Sequence, residues 1–463
     1  MTPQAFDVVV AGGGMAGASV AAALGELGYA VLVAEPGLDG GKRLAGELIH
    51  PPGASDLSQL GLLPSLERAG GVPIRGFAVW PDSIETRSNA PETHRAPGGT
   101  EAACVLPYAE VSGLADHGLA VEHGAMTDAL LRAVAEQPHV SVWIGARVTA
   151  LDLADAQGVV VTLSRDGQDV RVRSRLLVAA DGGSSHVRAM AGIGSTRRRL
   201  STMVGFTVEG DVPCPGFANV FVGPVPVLAY QFQAGSVRVM FDLRKEARGV
   251  TPFGVEPSHV AVLPEPFRSA VRRAVDSQQP LVSASYSLVP DAVIKGRLVL
   301  VGDAAGCCHP LTATGLSVCT RDARRLRQAL QERGGDVPAA LRRYAELREG
   351  PQRTRLALAS ALYEAFSAPT PEMRVLRRGL LRYWARSRRG RAVSMALLST
   401  HESRMGVMAT EYARVAGYGF LELARRRGAS RESLRARGRA VVGLSRATMR
   451  YAAAALRGLY SPR

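Results

Sequence analysis

Gly12, Gly14 and Gly17 stand in G-x-G-x-x-G spacing directly after the apolar run 6–11, and a carboxylate, Glu35, follows 18 residues past Gly17. Glycine at the first position permits a tight turn, at the second it lets a pyrophosphate approach bare backbone, and at the third it lets a helix pack on its strand. The start of the following helix adds partial positive charge for an anion. An acid at the distance of Glu35 can bind both hydroxyls of an adenosine ribose, so the set points to dinucleotide binding. Two further clusters have ligand chemistry. Asp181-Gly182 follows the apolar run 176–180 and precedes serines and Arg188. Gly302-Asp303 opens the stretch Ala304-Ala305-Gly306-Cys307-Cys308-His309-Pro310-Leu311-Thr312-Ala313-Thr314-Gly315, in which an acid can accept bonds from sugar-type hydroxyls and the glycines admit a flat ring close to backbone.

Each cluster needs a strand to aim it and a helix to follow it. The hydrophobic patterning predicts strands over 6–11, 29–34, 175–180 and 298–301, and helices over 18–27 and 316–330. Continuous apolar strands of this kind belong to a sheet covered on both faces, whose ligands bind at the carboxyl edge. Between these elements the patterning predicts helices over 57–66 and 126–136, and strands over 74–80, 141–153 and 158–164, the last turning at Arg165-Asp166-Gly167-Gln168 into a further strand, 169–172. Residues 81–99 read as a polar, proline-rich excursion. From 202 to 288 the period shifts towards two, with antiparallel strands over 220–222, 227–233 and 237–241. Tyr230, Phe232, Met240 and Phe241 read there as sheet packing, with the lining of an apolar cavity as the alternative.

A chain of 463 residues with 46% hydrophobic content can bury more than one core. The expected class is α/β: a Rossmann-type dinucleotide domain with an inserted mixed or antiparallel β-sheet substrate domain and a C-terminal helical region. The expected boundaries place the dinucleotide domain in 1–75, 111–195 and 291–345, a substrate-domain excursion in 76–110, the sheet in 196–290 and the helical region in 346–463. Five scattered cysteines without CxxC spacing indicate neither a disulfide framework nor a metal site, and a reducing cytoplasm is expected. With the first strand at Phe6 and no long uncharged apolar run, neither a signal peptide nor a membrane span is expected.

The net charge of +15 is concentrated at one end, where residues 341–463 carry 26 arginines against 8 glutamates. In its last segment Arg439, Arg446, Arg450 and Arg457 fall on one helical face and Met449, Ala452, Ala453, Leu456 and Tyr460 on another. Together with Arg386-Ser387-Arg388-Arg389-Gly390-Arg391 and Arg425-Arg426-Arg427 this predicts docking on an anionic membrane surface, with a solvated helical face as the alternative. No nucleic-acid module is present, so no nucleic-acid partner is expected.

The three motifs in this order resemble flavin-dependent monooxygenases of the hydroxylase superfamily. Arg43-Leu44-Ala45-Gly46-Glu47 followed by Pro51, and His309-Pro310-Leu311-Thr312, resemble most the squalene epoxidases and their bacterial relatives, over roughly residues 5–345. The resemblance implies FAD, with Gly12, Gly14, Met15, Ala16, Gly17, Glu35 and Pro36 at its adenosine and pyrophosphate end. It further implies Arg43 near the flavin, Asp181, Gly182, Gly302 and Asp303 along the ribityl and pyrophosphate part, and Pro310, Gly315 and Leu316 along the ring.

The implied reaction inserts one oxygen atom of O2, as epoxide or hydroxyl, through the reduced flavin. Electrons would come from NAD(P)H directly or through a separate flavin reductase, since no second nucleotide fingerprint is present. His50, Phe77 and Pro310 are the candidates for positioning substrate and flavin. The chain departs from the family pattern where glutamine and tyrosine are usual and it has His50 and Phe77, and where an arginine is usual and it has Ala125. These departures suit a lipophilic polyprenyl or prenylated aromatic substrate, such as an aurachin-type quinoline. Squalene itself, a related polyprenyl reductase and a non-enzymatic FAD-retaining surface protein are the alternatives. A peripheral place on the inner face of the membrane is expected.

Overall fold

The computed structural model describes residues 4–37, 44–81, 104–154, 158–244, 254–367, 370–425 and 445. The chain divides into two units, the first built from residues 1–72, 119–200 and 285–349, the second from 73–118, 201–284 and 350–463.

In the first unit the strands Leu298–Leu300, Gln168–Ala179, Gln4–Ala11, Val31–Glu35 and Val140–Ile144 lie side by side in that order, all parallel. Alternate residues serve opposite faces. Val8, Val10, Leu176, Val178 and Val299 belong to one core with the helices Met15–Gly25 and Gly315–Glu332. Val9, Ala11, Leu177, Ala179, Leu298 and Leu300 belong to another, closed by the strand Val159–Arg165. Burial on both faces explains why the segments 8–11, 31–34, 176–179 and 298–300 are apolar throughout rather than alternating. The arrangement is the expected Rossmann-type α/β fold.

The second unit carries most of a seven-stranded sheet in which Ala218–Phe221 runs parallel to Gly76–Trp80, while Ser195–Glu209, Ser236–Arg244, Val227–Gln233 and Ala218–Phe221 pair antiparallel in turn, as does Gly76–Trp80 with Cys104–Pro107. The helix Phe267–Ser277 lays Phe267, Val271 and Ala274 on it, against a core that includes Trp80, Phe206, Phe221 and Phe241. Phe241 is therefore core packing; Tyr230, Phe232 and Met240 are also buried. The helices Pro371–Arg386, Arg388–Leu398 and Met405–Arg425 group with this sheet instead of forming a region of their own.

Several expected elements are divided. The 57–66 helix is two, Pro51–Gln59 and Leu63–Arg68, each opened by proline in its first turn and separated at Gly61, whose φ is +69°. The 141–153 strand breaks at Gly145, with φ +77°, into Val140–Ile144 and Arg147–Asp152, and the second pairs antiparallel with Val159–Arg165. The 74–80 strand divides into Val72–Ile74 and Gly76–Trp80. The 126–136 helix begins earlier, at His123, because the Glu122 carboxylate accepts from the Ala125 amide at 2.7 Å and caps it. Arg43, all of the 81–99 excursion except Pro81, and the 439–460 amphipathic segment except Ser445 lie outside the described residues.

Candidate functional site

All three glycine-containing turns leave the carboxyl ends of neighbouring parallel strands. Gly12 follows Gln4–Ala11, Asp181-Gly182 follows Gln168–Ala179, and Gly302 follows Leu298–Leu300. Backbone bonds continue past the strand ends, from the Ala180 amide to Ala11 at 2.8 Å and from the Val301 amide to Ala179 at 3.0 Å. The turns therefore stand in a row on one edge of one sheet, where open α/β sheets bind ligands.

The first turn needs its glycines for different reasons. Gly12 has φ +98°, and a Cβ there would lie 2.7 Å from the Ala180 carbonyl oxygen. A Cβ on Gly17 would lie 1.8 Å from the Gly12 oxygen, so the helix Met15–Gly25 can sit on its strand only with glycine there. No heavy atom lies within 4 Å of a Cβ placed on Gly14, which leaves its backbone open to a ligand. Met15 and Ala16 form the buried start of the helix. Glu35, at the end of the next strand, accepts from the Gly13 amide at 2.7 Å through Oε2 and from the Gly37 amide at 3.0 Å through Oε1. Its carboxylate is thus held at the turn while each oxygen retains a lone pair for a sugar hydroxyl. Pro36 beside it is exposed.

The second turn is organised from within. Asp181 accepts from the Ser185 hydroxyl and, at 3.0 Å, from the Val187 amide, while Gly182 takes φ +79°. Arg188, noted in the sequence only as lying at a helix start, is buried and joins two turns: it donates to the Gly183 oxygen at 2.9 Å and to the Ala304 oxygen at 2.9 Å.

The third turn is the short helical segment Gly302–Ala305, with Asp303 half-buried. After it, Cys307 exchanges backbone bonds with Leu288, and the Cys308 thiol lies 3.9 and 3.8 Å from the Thr312 and Thr314 hydroxyls. The His309 side chain accepts from the Leu311 amide at 3.2 Å and caps Pro310–Thr312, leaving Pro310 exposed. Gly315 and Leu316 open the helix Gly315–Glu332, whose first amides carry no side-chain cap. That leaves positive dipole charge at this end.

His50, expected to position substrate or flavin, is built into the protein beneath the third turn. It is fully buried, its amide donates to the Ser317 hydroxyl at 3.0 Å, and its Nε2 lies 3.0 Å from the Thr312 carbonyl oxygen. Burial lowers the ring to about 4, although the Thr312 bond opposes this, so at neutral pH the ring is uncharged. A neutral ring facing a carbonyl carries its proton on Nε2, so His50 holds the Pro310–Thr312 segment by donating to it. Phe77 lies in the second unit, buried on Gly76–Trp80 between partners Leu106 and Ala218. Among the described residues no group of three potential ligands stands ready to hold a metal ion, and no disulfide joins any of the five cysteines.

The open Gly14 backbone, the held Glu35 carboxylate and three aligned turns form a donor set that fits a dinucleotide with a long diphosphate reach, as FAD has. The fold agrees. The structure of PqsL from Pseudomonas aeruginosa, described as a probable FAD-dependent monooxygenase, superposes with a TM-score of 0.64 at 21% identity, covering 79% of this chain and 97% of that one. The fold and the row of turns define a dinucleotide-binding protein of the Rossmann-type α/β class. Within that class the chain belongs to the squalene epoxidase family, whose family model matches residues 173–435. Mouse squalene monooxygenase is 30% identical over 393 residues, which cover 82% of this chain and 65% of the mouse protein's length. Ubiquinone hydroxylase UbiL of Rhodospirillum rubrum is also 30% identical, over 387 residues, covering 80% of this chain and 84% of that protein.

Proposed function

We propose that the protein binds FAD along this edge and transfers one oxygen atom of O2 to a double bond or ring of a lipophilic polyprenyl or prenylated aromatic compound, with an aurachin-type quinoline as one candidate. The observation that carries the reading is the row of three turns on adjacent parallel strands in a chain of the squalene epoxidase family. The similarity to a ubiquinone hydroxylase supports a ring-bearing prenylated substrate. The similarity to mouse squalene monooxygenase favours a second reading, squalene itself.

Bound FAD would supply the oxygen chemistry once reduced by NAD(P)H, directly or through a flavin reductase. The chain's own share is to bind and orient. Glu35, with Pro36 beside it, receives the ribose hydroxyls, the 12–17 turn with Met15 and Ala16 receives the pyrophosphate, and Arg43 lies near the flavin. Asp181, Gly182, Gly302 and Asp303 line the ribityl and pyrophosphate part. Pro310 and Leu316 lie along the ring, and the uncapped helix start at Gly315 offsets negative charge on it. His50 keeps Pro310–Thr312 in place, and Phe77 stands on the substrate side.

No helix among the described residues is long and apolar enough to cross a membrane. Arg386, Arg388 and Arg389 are exposed, and with the arginines beyond 425 they would hold the protein to the inner face of an anionic membrane, where such a substrate resides. The deciding experiment supplies purified protein with FAD, NADPH, a flavin reductase and isotopically labelled O2, and offers squalene, a ubiquinone precursor and a prenylated quinoline in turn. Labelled product from the prenylated ring compounds and not from squalene is expected. Label in squalene alone selects the second reading, and reduction of a polyprenyl chain without O2 overturns both.

A further inference from the structure

Asp322 lies in the middle of the helix Gly315–Glu332 with 0% of its surface exposed. A buried carboxylate is costly unless donors surround it. Three do. The Gly302 amide and the Arg348 Nε donate to Oδ2 at 3.0 and 2.9 Å, and Arg325 donates to Oδ1 at 3.1 Å. Arg348 is 4% exposed, and one helical turn before it Tyr344 donates to the Leu300 oxygen at 3.0 Å. The helix residues 344 and 348 therefore clasp both the end of the strand Leu298–Leu300 and the carboxylate that faces the turn after it.

Gly302 has no spare room. Its φ is +57°, and a Cβ there would lie 2.9 Å from both the Ala16 Cβ and the Cys319 Sγ. It is wedged between the first turn of Met15–Gly25 and the helix that carries Asp322. An ion pair alone does not explain the acid, because a buried pair is commonly replaceable by apolar residues without loss of stability. The Gly302 amide is the contact that no apolar residue can replace.

We propose that Asp322 is a positioning residue for FAD: its carboxylate, with Arg348 as countercharge, holds the Gly302 amide and so sets Asp303 and the 302–306 turn against the 12–17 turn. The inference rests on the FAD reading of the same edge. Its test compares two neutral side chains that differ in reach. Asp322→Asn retains an acceptor for the Gly302 amide, whereas Asp322→Ser is too short to provide one. Both are made with Arg348→Met, which leaves no buried guanidinium without its carboxylate; if that background does not fold, the same pair is compared with Arg348 present.

FAD is titrated into full-length apoprotein by flavin fluorescence, and the visible flavin spectrum and the apoprotein melting temperature are recorded. The serine variant should bind FAD about tenfold more weakly than the asparagine variant and shift the flavin spectrum, at closely similar melting temperatures. Equal affinities and spectra for the two overturn the inference while leaving the flavin reading intact. An unvaried protein that takes up no FAD sinks that reading, and this inference with it.

Discussion

The polar side chains at the turns of the first unit and those among the C-terminal helices of the second do different work. In the first, side chains hold backbone: Glu35 takes the Gly13 amide, Asp181 the Val187 amide, Asp322 the Gly302 amide, and His50 the Thr312 carbonyl. Among the helices of the second, these side chains pair with one another: Arg391 forms a two-pronged pair with Glu110 at 2.9 and 3.0 Å, Arg382 pairs with Glu422, and Tyr383 donates to Glu411. Fixing backbone leaves a row of amides and carboxylates in set positions for a ligand, which a binding edge requires. Fixing side chains to one another locks helices together and presents nothing. Perturbing the first arrangement should change flavin binding, and perturbing the second should change stability alone.

The largest expected effect comes from Gly17→Ala. The added methyl meets the Gly12 oxygen, so helix and turn must separate, and the protein should purify without flavin while keeping its circular dichroism. Retained flavin would break the comparison at its strongest point. Next is Glu110→Ala, which leaves the Arg391 guanidinium, 7% exposed, without its carboxylate. Denaturant unfolding should show a loss of about 3 kcal/mol, with the spectrum of bound flavin unchanged.

A smaller effect concerns His50 and has a definite sign. Its folded value of about 4 lies below the 6.5 of an exposed histidine, so the unfolded chain binds the proton more readily. The stability this contributes is complete above about pH 6.5 and falls as pH drops towards 4. Between pH 7 and pH 5 the native protein should lose about 2 kcal/mol more than His50→Gln, which keeps a donor for Thr312 but does not titrate. Equal pH dependence of the two in urea unfolding would remove His50 from the group of backbone-holding residues. The smallest effect is that of Arg389→Gln on flotation with anionic vesicles, about 1 kcal/mol or some fivefold in partitioning, and none with neutral vesicles.

Much of the first unit was legible. The strands near 6–11, 29–34, 175–180 and 298–301 follow from apolar runs that only a doubly covered sheet tolerates, and Gly12 and Gly17 from their spacing. The breaks at Gly61 and Gly145 were hidden, because each glycine sits inside a run whose periodicity continues past it. The arginines misled more. Counted as surface charge, the 386–391 cluster includes Arg391, and Arg355 and Arg377 are buried as well. Their sequence signal is weak: an arginine at an otherwise apolar helical position is the only mark of burial.

The sequence by itself determined the α/β class, the parallel strands and the three turns. These depend on local rules, namely which residues tolerate positive φ or close approach and which runs suit a covered strand. Only the tertiary structure decided which polar groups hold the turns. Asp322 reaches Gly302 across 20 residues, His50 reaches Thr312 across 262 and Arg391 reaches Glu110 across 281. A side chain's charge state and task depend on what is packed against it, and no local pattern records a neighbour that the fold brings from so far away.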